Sequence, residues 1–154
     1  MFNIIKLLFK GALAKKETIT FNDTRLGKLT CEFTADEKYF FWDTQITSIN
    51  KNGKETAITV DGTLHSPDMK GLERIYWAID SIEMILDAAQ QEASKTYPGK
   101  VLNIRRDFYV EDISTYLPDG DDESDVEIEL DSDEYGLLTI EFKEGKFFAI
   151  DYIE

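Results

Sequence analysis

The chain carries one cysteine, Cys31, among its 154 residues, so no internal disulfide can form. That fits a reducing compartment, and a cytoplasmic location is the expectation. No apolar run approaches the ~18 residues that a membrane-spanning helix needs. Basic residues are few: 17 lysines and arginines stand against 31 acids, a formal net charge of −14. Phosphate binding needs a clustered basic surface, which argues against nucleic acid as a partner. The sequence has no G-x-x-x-x-G-K-[ST], no G-x-G-x-x-G and no H-E-x-x-H, and no cofactor is expected. There is one histidine, His65, and pairing it with Cys31 as base and nucleophile has no local support. Cys31 alternates with Leu29 and Phe33, as a buried structural thiol would. His65 sits just before a helix start, where a surface turn is the plainer reading.

What is present describes one folded domain spanning residues 1–154. Apolar content of 42% and aromatic content of 12% suffice for a core. From Glu17 to Val60 the apolar period is two, through Ile19 and Phe21, then Leu29, Cys31 and Phe33, then Phe40, Trp42, Thr44 and Ile46, then Ile58 and Val60. Asn52-Gly53 reads as a hairpin turn, since both residues tolerate positive φ. Ser66-Pro67-Asp68 then opens a helix. Leu72, Ile75, Ile79, Ile82, Leu86, Ala89 and Ala93 follow as one stripe, predicting a single long helix over about 67–96 that Pro98-Gly99 ends. Residues 101–117 fit either a strand or a short helix. Val126 to Leu130, Leu138 to Phe142 and Phe148 to Tyr152 alternate again as strands. No internal repeat or linker is visible. The fold class expected is α+β, with an antiparallel sheet or sheets packed on the long helix.

Met1 to Lys16 is basic and apolar, with Phe2, Ile5, Phe9, Ala12 and Leu13 on one helical face. A short amphipathic helix docked on the body is the favoured reading. A membrane-surface or partner-binding helix and a secretion signal are the alternatives, although Lys6 and Lys10 interrupt the core of a signal.

The negative charge is concentrated. Fourteen acids lie between Asp107 and Phe142 with no lysine, arginine or histidine among them, while acids and bases balance in the rest of the chain. Strand alternation puts Asp125, Glu127, Glu129 and Asp131 on one face, about 6.8 Å apart at two-residue spacing. With Asp119, Asp121, Asp122 and Glu123 of the preceding loop they form an acidic loop and strand over residues 118–134. Like charges so close repel, and they suit a basic protein partner. The competing reading is a solvated face that deters edge aggregation. Calcium is disfavoured: Ser124 stands where an EF-hand loop starting at Asp119 needs glycine, and Leu130 where it needs a bidentate acid. Tyr39-Phe40-Phe41-Trp42 is an aromatic run, and Trp77 lies off the helical stripe. Trp42 and Trp77 are therefore either core or anchors at an interface.

Asp23-Thr24-Arg25-Leu26-Gly27-Lys28-Leu29-Thr30, Trp42 and Val60-Asp61-Gly62 form one recognisable series. The helix followed by Gly136-Leu137-Leu138-Thr139-Ile140-Glu141-Phe142 and Gly145-Lys146-Phe147 forms another. Over positions 17–153 this order resembles a loose group of small uncharacterised bacterial α+β domains. By type the chain also resembles immunity proteins of bacterial toxin systems, which are small, acidic, cytosolic and mixed α+β. The function these features point to is non-enzymatic protein binding, in its sharpest form an immunity protein that neutralises a basic toxin domain through the acidic surface. The alternatives are a structural or oligomeric module and a hydrolase whose site is not recognisable. The oligomeric state stays open.

Overall fold

Period-two alternation becomes strands wherever the sequence shows it. The computed structural model describes residues 15–116 and 123–154. The elements are β1 (Glu17–Asp23), β2 (Gly27–Phe33), β3 (Phe40–Ile46), β4 (Thr56–Gly62), α1 (Met69–Asp80), α2 (Ile82–Thr96), α3 (Ile104–Asp107), β5 (Tyr109–Thr115), β6 (Val126–Ser132), β7 (Gly136–Lys143) and β8 (Lys146–Ile153). The eight strands form one sheet in the order of the chain. Every neighbouring pair is antiparallel except β4–β5, which is parallel. A parallel pair needs a crossover, and the three helices supply it.

This corrects the expectation of an antiparallel sheet on one long helix. The sheet is mixed, and the helical stretch is broken into short helices of 12 and 15 residues with Ser81 between them. Ser81 sits at φ −104°, ψ 10°, outside helical geometry. The apolar stripe changes phase at this break. Leu72, Ile75 and Ala78 of α1 are buried, then Ile85, Ala89 and Ala93 of α2, while Ile79, Ile82 and Leu86 are only partly covered. The expected stripe and the used one differ because Ala78 and Ile85 offer a second apolar row. The N-terminal helix expected over 1–16 falls almost wholly outside the described residues. Residues 101–117 hold both candidates in turn, with α3 capped by the Asn103 side chain and followed by β5. Asn52-Gly53 lies within a longer loop between β3 and β4, with Gly53 at φ +77°.

The buried core lies on the helix-bearing face of the sheet. Leu29, Cys31, Trp42, Ile58, Val60, Ile113, Ile128, Leu130, Leu138 and Ile140 point into it from the strands. At the crossover, α1 approaches so closely that a Cβ on Gly71 would stand 2.9 Å from both Val60 Cγ1 and Thr115 Oγ1. The parallel seam is extended by one side chain. Asn50 Oδ1 accepts the Val110 N–H at 2.9 Å, and its amide donates to Val110 O at 2.9 Å and Thr56 Oγ1 at 3.0 Å. Asn50 thus replaces a strand residue ahead of the start of β4.

The two antiparallel halves share a hairpin that sequence reading did not show. The β1–β2 and β6–β7 hairpins pair in the same register at an offset of 109 residues: Asp23↔Gly27 matches Ser132↔Gly136, and Ile19↔Cys31 matches Ile128↔Ile140. Asp23 Oδ1 accepts the backbone N–H of Arg25 and Leu26, and Ser132 Oγ accepts those of Glu134 and Tyr135. Gly27 and Gly136 close the two turns at φ +79° and +93°. Ile, Gly, Leu, Thr, Glu and Phe recur at equivalent positions (19/128, 27/136, 29/138, 30/139, 32/141 and 33/142).

If the helix breaks at Ser81 as described, Ile85→Ala is expected to cost roughly 2–4 kcal/mol and Leu86→Ala about 1 kcal/mol. Urea unfolding measures both, and the reverse order would restore the continuous stripe.

Candidate functional site

The sheet has a second face that no described element covers. Register defines two rows across it. One runs Asp43–Thr59–Ser114–Glu127–Glu141 from β3 to β7. The next runs Ala57–Asp112–Glu129–Thr139–Asp151 from β4 to β8. Neighbouring strands are about 4.8 Å apart, so these carboxylates stand within reach of one another. Asp112 reaches this face through a bulge: the β5–β6 register shifts between Val110 and Asp112. Val110 therefore points into the core and Asp112 away from it.

The electrostatics follow from this crowding. Among the described residues, none of Asp43, Asp112, Glu127 and Glu129 takes part in a salt bridge. Partial burial, with the Glu129, Glu127 and Asp43 carboxylates adding to it, pushes Asp112 up to about 6 against the opposing Ser114 hydroxyl. Burial and then Glu141 and Glu129 raise Glu127. Burial and Glu32 raise Asp43, whose carboxylate accepts the Thr59 hydroxyl at 3.0 Å. At one end of the face Phe41 and Tyr116 form an exposed edge-to-face pair with centroids 6.3 Å apart. Lys28, Thr30 and Gln45 flank a shallow depression near Asp43, where β2 and β3 pair through one residue pair, Thr30↔Asp43.

The structure places the expected site residues unequally. Glu127, Glu129 and Asp131 share the uncovered face, and Asp131 accepts the Tyr109 hydroxyl at 2.6 Å. Asp125 does not join them. It is buried, with Oδ2 3.3 Å from Arg74 Nε and accepting the Glu144 N–H at 3.1 Å. It precedes β6 and clamps α1 to the β7–β8 turn, so strand alternation does not govern it. Glu123 is exposed ahead of β6. Asp119, Asp121 and Asp122 lie outside the described residues.

Trp42 is corrected from candidate anchor to core. It is buried, its indole N–H donates to Thr63 O at 3.0 Å, and Phe21 packs edge-on against it at 6.2 Å. Trp77 is half-buried, set 5.4 Å from Phe142 and against Gly145. Sequence reading missed Asp43, Asp112 and Asp151 as members of the face. Asp43 and Asp151 followed alternations visible in the sequence, opposite Trp42 and Thr44 and opposite Ile150 and Tyr152, and Asp112 did not.

Cys31 is buried, and burial followed by Asp43 and Glu37 raises its thiol, which disfavours a reactive thiolate. His65 is exposed in the turn after β4. Among the described residues no group of three His, Cys, Asp or Glu side chains could hold a metal ion, and no helix is long and apolar enough to cross a membrane. No family model, curated protein or solved structure matches the chain.

Asp112 gives a signed test. Its folded-state pKa exceeds the ordinary value of 3.8, so between that value and about 6 the folded state holds the extra proton. Stability should fall as pH rises through that window. Asp112→Asn is expected to gain on the order of 1–2 kcal/mol at pH 7, allowing for solvent screening, and nothing below about pH 4. Thermal melts at both pH values check this, and a loss of stability at pH 7 would contradict it.

Proposed function

We propose that this chain is a non-enzymatic protein-binding domain whose uncovered sheet face captures a basic protein. One observation carries the reading. The repeated hairpin acts as an internal control on the charge of that face. Where β1 places Thr18, Thr20 and Asn22, β6 places Glu127, Glu129 and Asp131, in the same register and pointing the same way. The scaffold therefore folds with neutral residues at these positions. The acids at 127 and 129 raise their neighbours' pKa values and have no salt bridge to offset them among the described residues. Charge that the fold does not need and that repels itself is suited to an oppositely charged partner.

The acidic field supplies encounter rate, and the exposed Phe41–Tyr116 pair supplies apolar contact at the end of the same face. A basic toxin domain neutralised by an immunity protein is the partner type that fits a small acidic chain of this kind. A structural module with an acidic surface for solubility alone is the competing reading. It predicts no defect in association when the charge is removed.

The test uses the chain's own alternative residues. The variant Glu127→Thr, Glu129→Thr, Asp131→Asn copies the β1 positions and should melt at or above the wild-type temperature. The partner is first recovered from the source cell by cross-linking to the wild-type chain. Its association with the variant should then be slower by roughly tenfold or more at low salt. The difference should close near 1 M salt, where the Debye length shrinks to about 3 Å. An unchanged low-salt association rate would leave the face a solvated surface.

A further inference from the structure

The sheet face that no described element covers is aromatic at one end as well as acidic. Phe41 and Tyr116 pack edge to face yet are 40% and 44% exposed, and Tyr39, two residues before Phe41, is 77% exposed. They lie at the end of the sheet where β1 and β3 begin and β5 ends. Large aromatic side chains grouped in the open mark a contact surface, whereas single ones need no explanation. Farther along the face stand Asp43, Asp112 and Glu127, none of them in a salt bridge among the described residues.

The chain enters β1 at this same end and from this same side. The Lys16 ammonium lies 3.5 Å from Glu32 Oε2. Glu32 pairs with Thr18 across the strands and, after burial, contributes to raising Asp43, so it belongs to the same face. Residues 1–14 lie outside the described residues, and their chemistry is read from the sequence. Residues 1–16 carry four lysines and no acid, whereas 107–142 carry fourteen acids and no base. Phe2, Ile5, Phe9 and Leu13 share one helical face, bordered by Lys6 and Lys10. Helical chain advances about 9 Å from Lys16 to Lys10 and about 15 Å from Lys16 to Lys6. The strands bearing Asp43 and Asp112 stand roughly 10 Å and roughly 19 Å from β1, since two and four strand spacings separate them. The length of a lysine side chain covers the difference.

We infer that residues 1–14 dock in cis on this face, with their apolar side on Phe41 and Tyr116, Lys10 toward Asp43, and Lys6 toward Asp112 and Glu127. The segment brings the two things the face lacks, apolar cover and positive charge. A second copy of the chain is a poorer occupant, because it brings a further −14 to an acidic surface. A tether holds the segment at an effective concentration on the order of millimolar, so a separate basic protein must displace it to bind. The inference rests on the reading that this face takes a basic ligand, and it gives that site an internal competitor that sets the threshold for a partner.

The test is zero-length carbodiimide coupling of the full wild-type chain at low salt, with the linked peptides of the monomer identified by mass spectrometry. Links from Lys6 and Lys10 to Asp43, Asp112 and Glu127 are expected, severalfold above links from the same lysines to Asp80 and Asp87 on the helices. The variant Ile5→Asn with Phe9→Asn removes the apolar contact without changing charge, and should lower the yield on this face severalfold. Links to the helices in equal yield, links found only in a covalent dimer, or a yield unchanged in that variant would each overturn the inference. Coupling is read on the free chain, so it stands or fails without any partner. Partner capture is read separately: the same variant, its face vacated, should bind the basic partner severalfold more tightly, and equal affinity would also count against the competitor.

Discussion

The parallel pairing of β4 with β5 is the constraint on which the rest depends. Each half of the sheet is antiparallel and closes through local turns. Joining them in parallel forces the chain to cross over, and α1 and α2 are that crossover. A single crossover covers one face. The apolar face is thereby committed to Leu72, Ile75, Ile85 and Ala89 from the helices, and no described element covers the other. Gly71 permits the close approach over the seam, and Asn50 satisfies Val110 ahead of the start of β4. The core and the acidic surface are consequences of the same connection.

The duplicated hairpin divides scaffold from decoration. Residues that recur between the two copies, such as Gly27 and Gly136 or Leu29 and Leu138, build turns and core. Residues that differ on the uncovered face change charge without changing register. The acids are therefore an addition to a frame that stands without them. A partner that brings positive charge would offset the repulsion among Asp112, Glu127 and Glu129, which links the energetics of the free protein to its proposed use.

Local pattern was legible in the sequence and phase was not. The strand faces of β1, β2, β4, β6 and β7 follow directly from alternation, because one face is buried and the period is two. The helical stretch was legible as helix, but Ala78 and Ile85 create a second apolar row and Ser81 switches between rows. Asp112 was hidden by the β5 bulge, which reverses the face of everything after Val110. Asp125 obeyed no alternation because it lies just outside β6 and serves a turn. Trp42 was ambiguous within an aromatic run, and only the carbonyl of Thr63 shows why its indole is satisfied inside the core. The hairpin repeat is faint in the sequence because its two copies share few residues and differ most where the charge is placed.

The central claim is that this face holds carboxylates which crowd one another without a salt bridge among the described residues. Site-resolved carboxyl NMR titration of the free protein tests it most directly. The account predicts a midpoint near 6 for Asp112, with Glu127 also above the ordinary glutamate range. Midpoints at ordinary carboxylate values for both residues would contradict it.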